Sequence, residues 1–152
     1  MVDGLWLGGG GFAVDSREAP LVVVTFPTEA STPQYELLFE HYAELCQKHS
    51  RIAWLIEFRG FDPVKAPASV RRQSAQIFAR HRERLQRSTV CEARVVESTV
   101  SRGVLTAFDW LTGSKWPTRQ FASFSEAAAW ARKMLESDGR PERPQFPSFH
   151  RV

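Results

Sequence analysis

The stretch Ile52-Ala-Trp-Leu-Ile-Glu-Phe58 decides the fold: it is almost unbroken apolar and β-prone, too short for a useful helix, and closed by Gly60 and Pro63. A run of that kind is a strand covered on both faces, so layers of structure must lie above and below it. On its N-terminal side Thr32-Pro33 opens a helix, with a hydroxyl at the cap and a proline in the first turn, where its missing N–H costs nothing. Tyr35, Leu38, Phe39, Tyr42, Leu45, Cys46 and His49 then recur at helical spacing and lay one face on the sheet. Further back, Phe12 to Val14 and Leu21 to Phe26 read as a hairpin joined by the polar turn Asp15-Ser-Arg-Glu-Ala-Pro20. Met1 to Gly11 reads as a flexible lead-in. Its glycines run into strand-like sequence and carry no Lys-Ser or Lys-Thr, so they do not make a phosphate loop.

On the C-terminal side Arg59 to Ala68 is a loop, and Ser69 caps a helix reaching about Arg87, with Val70, Ser74, Ile77, Phe78, His81 and Leu85 on one face. Thr89 to Glu97 is a strand, Ser101 to Leu111 a short helix stopped by Gly113, and Trp116 to Phe121 a last strand. Ser123-Phe-Ser-Glu126 has the spacing of a capping box; the helix it opens buries Ala127, Trp130, Ala131 and Met134. From Asp138 to Val152, Gly139, Pro141, Pro144 and Pro147 make a tail. The expected architecture is one α/β domain over residues 12–137: a mixed, mostly parallel sheet of about five strands with an N-terminal hairpin and four helices.

Bulk properties agree with one domain. A chain of 152 residues, 43% hydrophobic and 12% aromatic, can bury a core without metal or disulfides. No apolar run approaches the ~20 residues of a membrane span, and the start lacks the pattern of a secretion signal. Cys46 and Cys91 suit buried packing in a reducing cytoplasm, where the protein is expected to reside. An excess of 20 basic over 17 acidic side chains, a net +3, is too small to imply a polyanion partner.

The order of elements, with Ser101-Arg-Gly-Val-Leu-Thr-Ala-Phe-Asp-Trp-Leu111 and Arg119-Gln-Phe-Ala-Ser-Phe-Ser-Glu-Ala-Ala-Ala-Trp130, resembles the bacterial SpoIIAA-like proteins of the STAS superfamily. In that group a strand with an Arg-x-Phe flavour leads into a last helix carrying Glu-Ala and a Trp. The likeness spans roughly Phe12 to Leu135. It implies a regulatory or binding module and not an enzyme; some members antagonise anti-sigma factors through a serine at the start of the helix after the central strand. Between Phe58 and Val70 the only hydroxyl here is Ser69, and the Asp-Ser-Ser/Thr-Gly pattern is absent. Ser69 therefore reads first as a helix cap, although a phosphoserine there would sit at the helix's positive end beside Arg71 and Arg72.

The remaining candidates are weighed by position. Arg71, Arg72, Arg80, Arg82, Arg84 and Arg87 face a single acid, Glu83, but scatter around their helix without interleaved aromatics. They read as a solvated basic face, and nucleic acid is not the expected partner. His81, with Ser74 on the same side, reads as a hydrogen-bonded core histidine, and no second ligand stands at metal spacing, so no metal or cofactor is expected. Trp110 points off its helix's apolar arc, so either Trp116, Phe146 and Phe149 or a second protein must cover it. The expectation is a non-catalytic regulatory or scaffold module binding another protein, or itself as a homodimer, through Arg102, Trp110, Trp116, Phe146 and Phe149. Two alternatives stand beside it. One is a small-ligand protein with a pocket between helix and sheet near Arg59 to Ala68, where Arg71 and Arg72, with His81, meet a phosphate or fatty carboxylate. The other is an enzyme using His81 or Cys46.

Overall fold

The apolar run at residue 52 becomes the strand Ile52–Glu57, and alternation divides its side chains between two layers. Ile52, Trp54 and Ile56 face one hydrophobic cluster, Ala53 and Leu55 the other. This computed structural model describes residues 4–8, 11–62, 65–99, 102–103, 105, 109 and 115–140. Its sheet has six strands in chain order: β1 (Leu5–Leu7), β2 (Ala13–Asp15), β3 (Leu21–Thr25), β4 (Ile52–Glu57), β5 (Thr89–Val95) and β6 (Thr118–Phe121). The first two junctions are antiparallel and the last three parallel, as crossovers of this length require. Leu55 on β4 pairs with Val23 on one side and Ala93 on the other.

Three helices are defined among the described residues: α1 (Thr32–Lys48), α2 (Ala68–Ser88) and α3 (Phe124–Ser137). α1 starts at Ser31, whose backbone N–H donates to Gln34 Oε1 at 2.7 Å, and Pro33 occupies the first turn. α3 starts at Ser123, whose Oγ accepts from the Glu126 N–H at 3.2 Å. Its Ala127, Ala128 and Ala131 meet Ala53 and Ala93. With such small side chains between them, α3 lies close on β4 and β5. On the opposite face the helices α1 and α2 pack on each other, and Phe39, Tyr42, Phe78 and Trp54 separate them from the sheet.

Two expectations change. The sheet gains β1 from the presumed lead-in, because Gly11, at φ +102°, turns the chain back so that Leu5–Leu7 pairs with Ala13–Asp15. Ser69 is not the cap of α2: the cap position is Pro67, its carbonyl receives the Arg71 N–H at 3.0 Å, and Ser69 is exposed inside the first turn. The helix expected over Ser101 to Leu111 falls mostly outside the described residues; the four of its residues that are described, Arg102, Gly103, Leu105 and Asp109, have helical backbone. The tail's first residues are tied down: Arg51 reaches Leu135 O at 2.6 Å and Asp138 at 3.3 Å, and Arg140 reaches Arg87 O at 3.1 Å. Trp110, Phe146 and Phe149 lie outside the described residues.

Candidate functional site

The rings that hold α1 and α2 off the sheet enclose a chamber of about 720 Å³. Its floor is sheet: Trp54 and Ile56 of β4, then Phe58 just beyond, and Glu92 and Arg94 at alternate positions of β5. One wall is α1, where Tyr35, Phe39 and Tyr42 recur at helical spacing; the other is α2, with Ser74, Phe78 and Leu85. Phe26, Phe61, Leu105, Asp109 and Trp116 complete the lining. The rings brace one another, Phe26 against Phe58 at 4.5 Å and Tyr42 against Trp54 at 4.6 Å between centroids. Arg71, Arg72 and Gln76 line the chamber yet are exposed, so it reaches solvent past the first turns of α2.

A charged cluster is set into this apolar lining. Arg94, 5% exposed, donates through Nε to Glu92 Oε2 and through its other two nitrogens to both oxygens of Asp109, at 2.8 and 2.6 Å. Glu92, 7% exposed, also accepts the Trp116 indole N–H at 3.1 Å. Burial works against the Arg94 charge, but the two carboxylates outweigh it and hold the guanidinium more firmly protonated than usual. Burial pushes the Asp109 carboxyl up, Arg94 pulls it down by less, and the neighbouring Glu92 adds to the rise. Burial also raises both phenols, Tyr35 to about 12 and Tyr42 well above its ordinary value, with Glu92 contributing at Tyr42. The Trp54 indole donates to Thr89 Oγ1 at 2.9 Å, whereas the Tyr42 hydroxyl has no hydrogen bond among the described residues.

The structure brings together some of the candidate residues and disperses others. Arg71 and Arg72 stand at the chamber rim, and Arg71 also donates to Ala66 O at 3.1 Å. Trp116, expected on a contact surface, is 9% exposed and packs on Phe78, because Glu92 takes its N–H inside the chamber. Arg102 is half-buried, and its carbonyl accepts from Gln120 Nε2 at 3.4 Å. His81 lies between the helices against Phe39 and away from the chamber lining. It is not the hydrogen-bonded histidine expected: Ser74 Oγ turns to the Arg71 carbonyl, and His81 Nδ1 is buried without a partner among the described residues. Burial, with Arg84 and Arg80 nearby, lowers its pKa. Cys46 is buried in the core and does not line the chamber.

Glu92, Arg94 and Asp109 were missed by sequence reasoning. The signal for the first two was present: opposite charges two apart in a covered strand share one face and must bury together. Among the described residues no cluster of three or more His, Cys, Asp and Glu side chains could hold a metal ion, and no helix is long and apolar enough to cross a membrane.

No family model and no curated protein matches the sequence at a significant level. Among solved structures the chain is similar to an uncharacterized DUF3478-family protein with a SpoIIAA-like fold from Shewanella loihica PV-4, at 12% identity and a TM-score of 0.60. The match covers 86% of this chain and 98% of that one. An α/β sheet of this strand order, with an N-terminal hairpin and helices on both faces, is a SpoIIAA-like fold.

Proposed function

We propose that this SpoIIAA-like fold serves as a binding module for a small, predominantly apolar molecule held in the chamber between the α1–α2 layer and the sheet. One observation carries the reading: a space of about 720 Å³ walled by aromatic rings, with a few fixed polar groups in its floor. Ligand sites have this size and this mix of lining. Rings that already brace one another lose little freedom when a guest enters, so apolar burial at ~25 cal/mol per Å² is less eroded by ordering. The rim arginines Arg71 and Arg72 are exposed and salt-screened, which makes them guides to the entrance more than anchors. Neither His81 nor Cys46 lines the space, which favours binding over catalysis by those residues.

Titration with Nile red, a neutral apolar dye, tests this. Saturable one-to-one uptake is expected, abolished by Ala75→Trp, which fills the chamber from α2. Absence of uptake, or uptake indifferent to that substitution, refutes the reading.

A protein-contact role through Arg102, Trp110, Phe146 and Phe149 is a separate proposal. It is supported by the sequence pattern, which puts Trp110 off the apolar arc of its expected helix, and tested by whether Trp110→Ala changes the sedimentation of the protein.

A further inference from the structure

The chamber lining holds several polar groups, and most of them are already engaged. The Trp54 indole donates to Thr89 Oγ1 at 2.9 Å and the Trp116 indole to Glu92 Oε1 at 3.1 Å. Ser74 Oγ turns to the Arg71 carbonyl at 3.0 Å, and Arg94 donates to both Glu92 and Asp109. Tyr42 differs: it lines the chamber, is 6% exposed, and its hydroxyl has no hydrogen-bond partner among the described residues. Its ring packs on Phe39 at 5.1 Å and on Trp54 at 4.6 Å between centroids, which holds the hydroxyl in place. Burial, with the Glu92 charge nearby, keeps this phenol protonated well above its ordinary range, so it offers a proton and carries no charge. A buried hydroxyl without an acceptor costs the fold free energy, and such exceptions call for a use. Tyr35, the other phenol on the α1 wall, is only half-buried.

Resting on the binding reading above, we propose that the chamber selects an apolar molecule carrying an uncharged carbonyl, of the ketone or ester class, whose oxygen accepts from the Tyr42 hydroxyl. A carbonyl oxygen has lone pairs and no proton of its own, so it meets the one donor without needing a second partner in the aromatic wall. A plain hydrocarbon fills the same volume and leaves the hydroxyl unmet. A carboxylate has to shed its water among aromatic rings, and the buried guanidinium of Arg94 that could offset this already donates to two carboxylates of the chain.

Isothermal titration of the full chain with benzylacetone, butylbenzene and hydrocinnamate presents a ketone, a hydrocarbon and a carboxylate on nearly one carbon frame. The hydrocarbon leaves water more readily whatever the site offers, so the comparison lies in Tyr42→Phe, which deletes the hydroxyl and keeps the ring. Benzylacetone affinity is expected to fall at least about threefold in the variant, with butylbenzene unchanged or tighter. Hydrocinnamate is expected to bind the parent at least about tenfold more weakly than benzylacetone. If Tyr42→Phe does not fold, the infrared carbonyl stretch of benzylacetone bound to the parent carries the test. A position below that of the ketone in hydrocarbon solvent is expected, and a hydrocarbon-like position overturns the proposal. It is also overturned if the two neutral probes weaken alike, if benzylacetone ignores the substitution, or if hydrocinnamate matches it. Failure of benzylacetone to bind while Nile red still binds overturns the carbonyl proposal alone; failure of Nile red as well removes the binding reading beneath it.

Discussion

Replacing Arg94 with methionine isolates the energetics of the buried charge cluster. The guanidinium side chain is 6% exposed, and its removal takes its charge away from the carboxylates of Glu92, at 9%, and Asp109, at 29%. Breaking a buried pair by removing one partner costs about 3–5 kcal/mol, because the remaining charge stays desolvated. Against a total stability of about 5–15 kcal/mol that is a large fraction, and for a chain of this length it corresponds to a melting point lower by about 6–20 °C. Urea unfolding followed by tryptophan fluorescence reads the change directly. The pH dependence adds a signature. A carboxyl whose pKa is raised in the fold contributes stability that is complete below its unfolded value, here 3.8, and is lost as pH rises through the folded value. Without Arg94 the Asp109 carboxyl rises further, so the deficit of Arg94→Met is expected to be greater near about pH 8 than near about pH 5. Adding Glu92→Gln and Asp109→Asn to Arg94→Met removes the carboxylates that Arg94 had paired and is expected to recover at least about half of the loss. A loss below about 1 kcal/mol for Arg94→Met, the scale of an exposed ion pair, would refute the reasoning.

Three further outcomes are expected. Cys91 is fully buried and its thiol is pushed up to about 12, first by burial and then by Glu92; it should resist thiol reagents in the native protein and react only on unfolding, and rapid native labelling would contradict its placement. Both tyrosines ionise above the ordinary 10.0 in the folded chain, so stability should hold below pH 10 and fall as pH climbs toward about 12 for Tyr35, with tyrosinate absorbance rising together with unfolding and not before it. Ser123→Ala removes the oxygen that caps α3 at Glu126 N and should cost about 1 kcal/mol in urea unfolding, whereas an unmoved midpoint would deny the cap any energetic role.

The sheet, the hairpin and the helices α1 and α3 were legible because their signals are local. Ile52 to Phe58 alternates between two covered faces, Thr32-Pro33 starts a helix, and Ser123 to Glu126 spells a cap. Strand β1 was hidden because three residues among glycines carry almost no periodicity, and only the turn at Gly11 gives them a partner. The start of α2 was misplaced by two residues because Ser69 has the chemistry of a cap, while Pro67 fits the backbone before a first turn equally well. A pocket between helix and sheet near the loop Arg59 to Ala68 was anticipated as an alternative, and Arg71 and Arg72 do line one. Its aromatic walls were read as core packing, since Tyr35, Phe39 and Tyr42 have the same spacing whether they fill a space or frame one. The charged floor depends on Asp109 meeting Arg94 at 15 residues' separation, a tertiary fact with no local pattern.

The central claim, that the chamber is where a ligand sits, is tested most directly by nuclear magnetic resonance of the indole N–H groups during titration with Nile red. Trp54 and Trp116 line the chamber, while Trp6 stacks on His41 at 4.8 Å and Trp130 packs on Phe121 at 5.7 Å, on the α3 side of the sheet. The account predicts saturable shifts of the Trp54 and Trp116 resonances with Trp6 and Trp130 unmoved. Shifts confined to Trp6 or Trp130, or no shift at saturating probe, would contradict it.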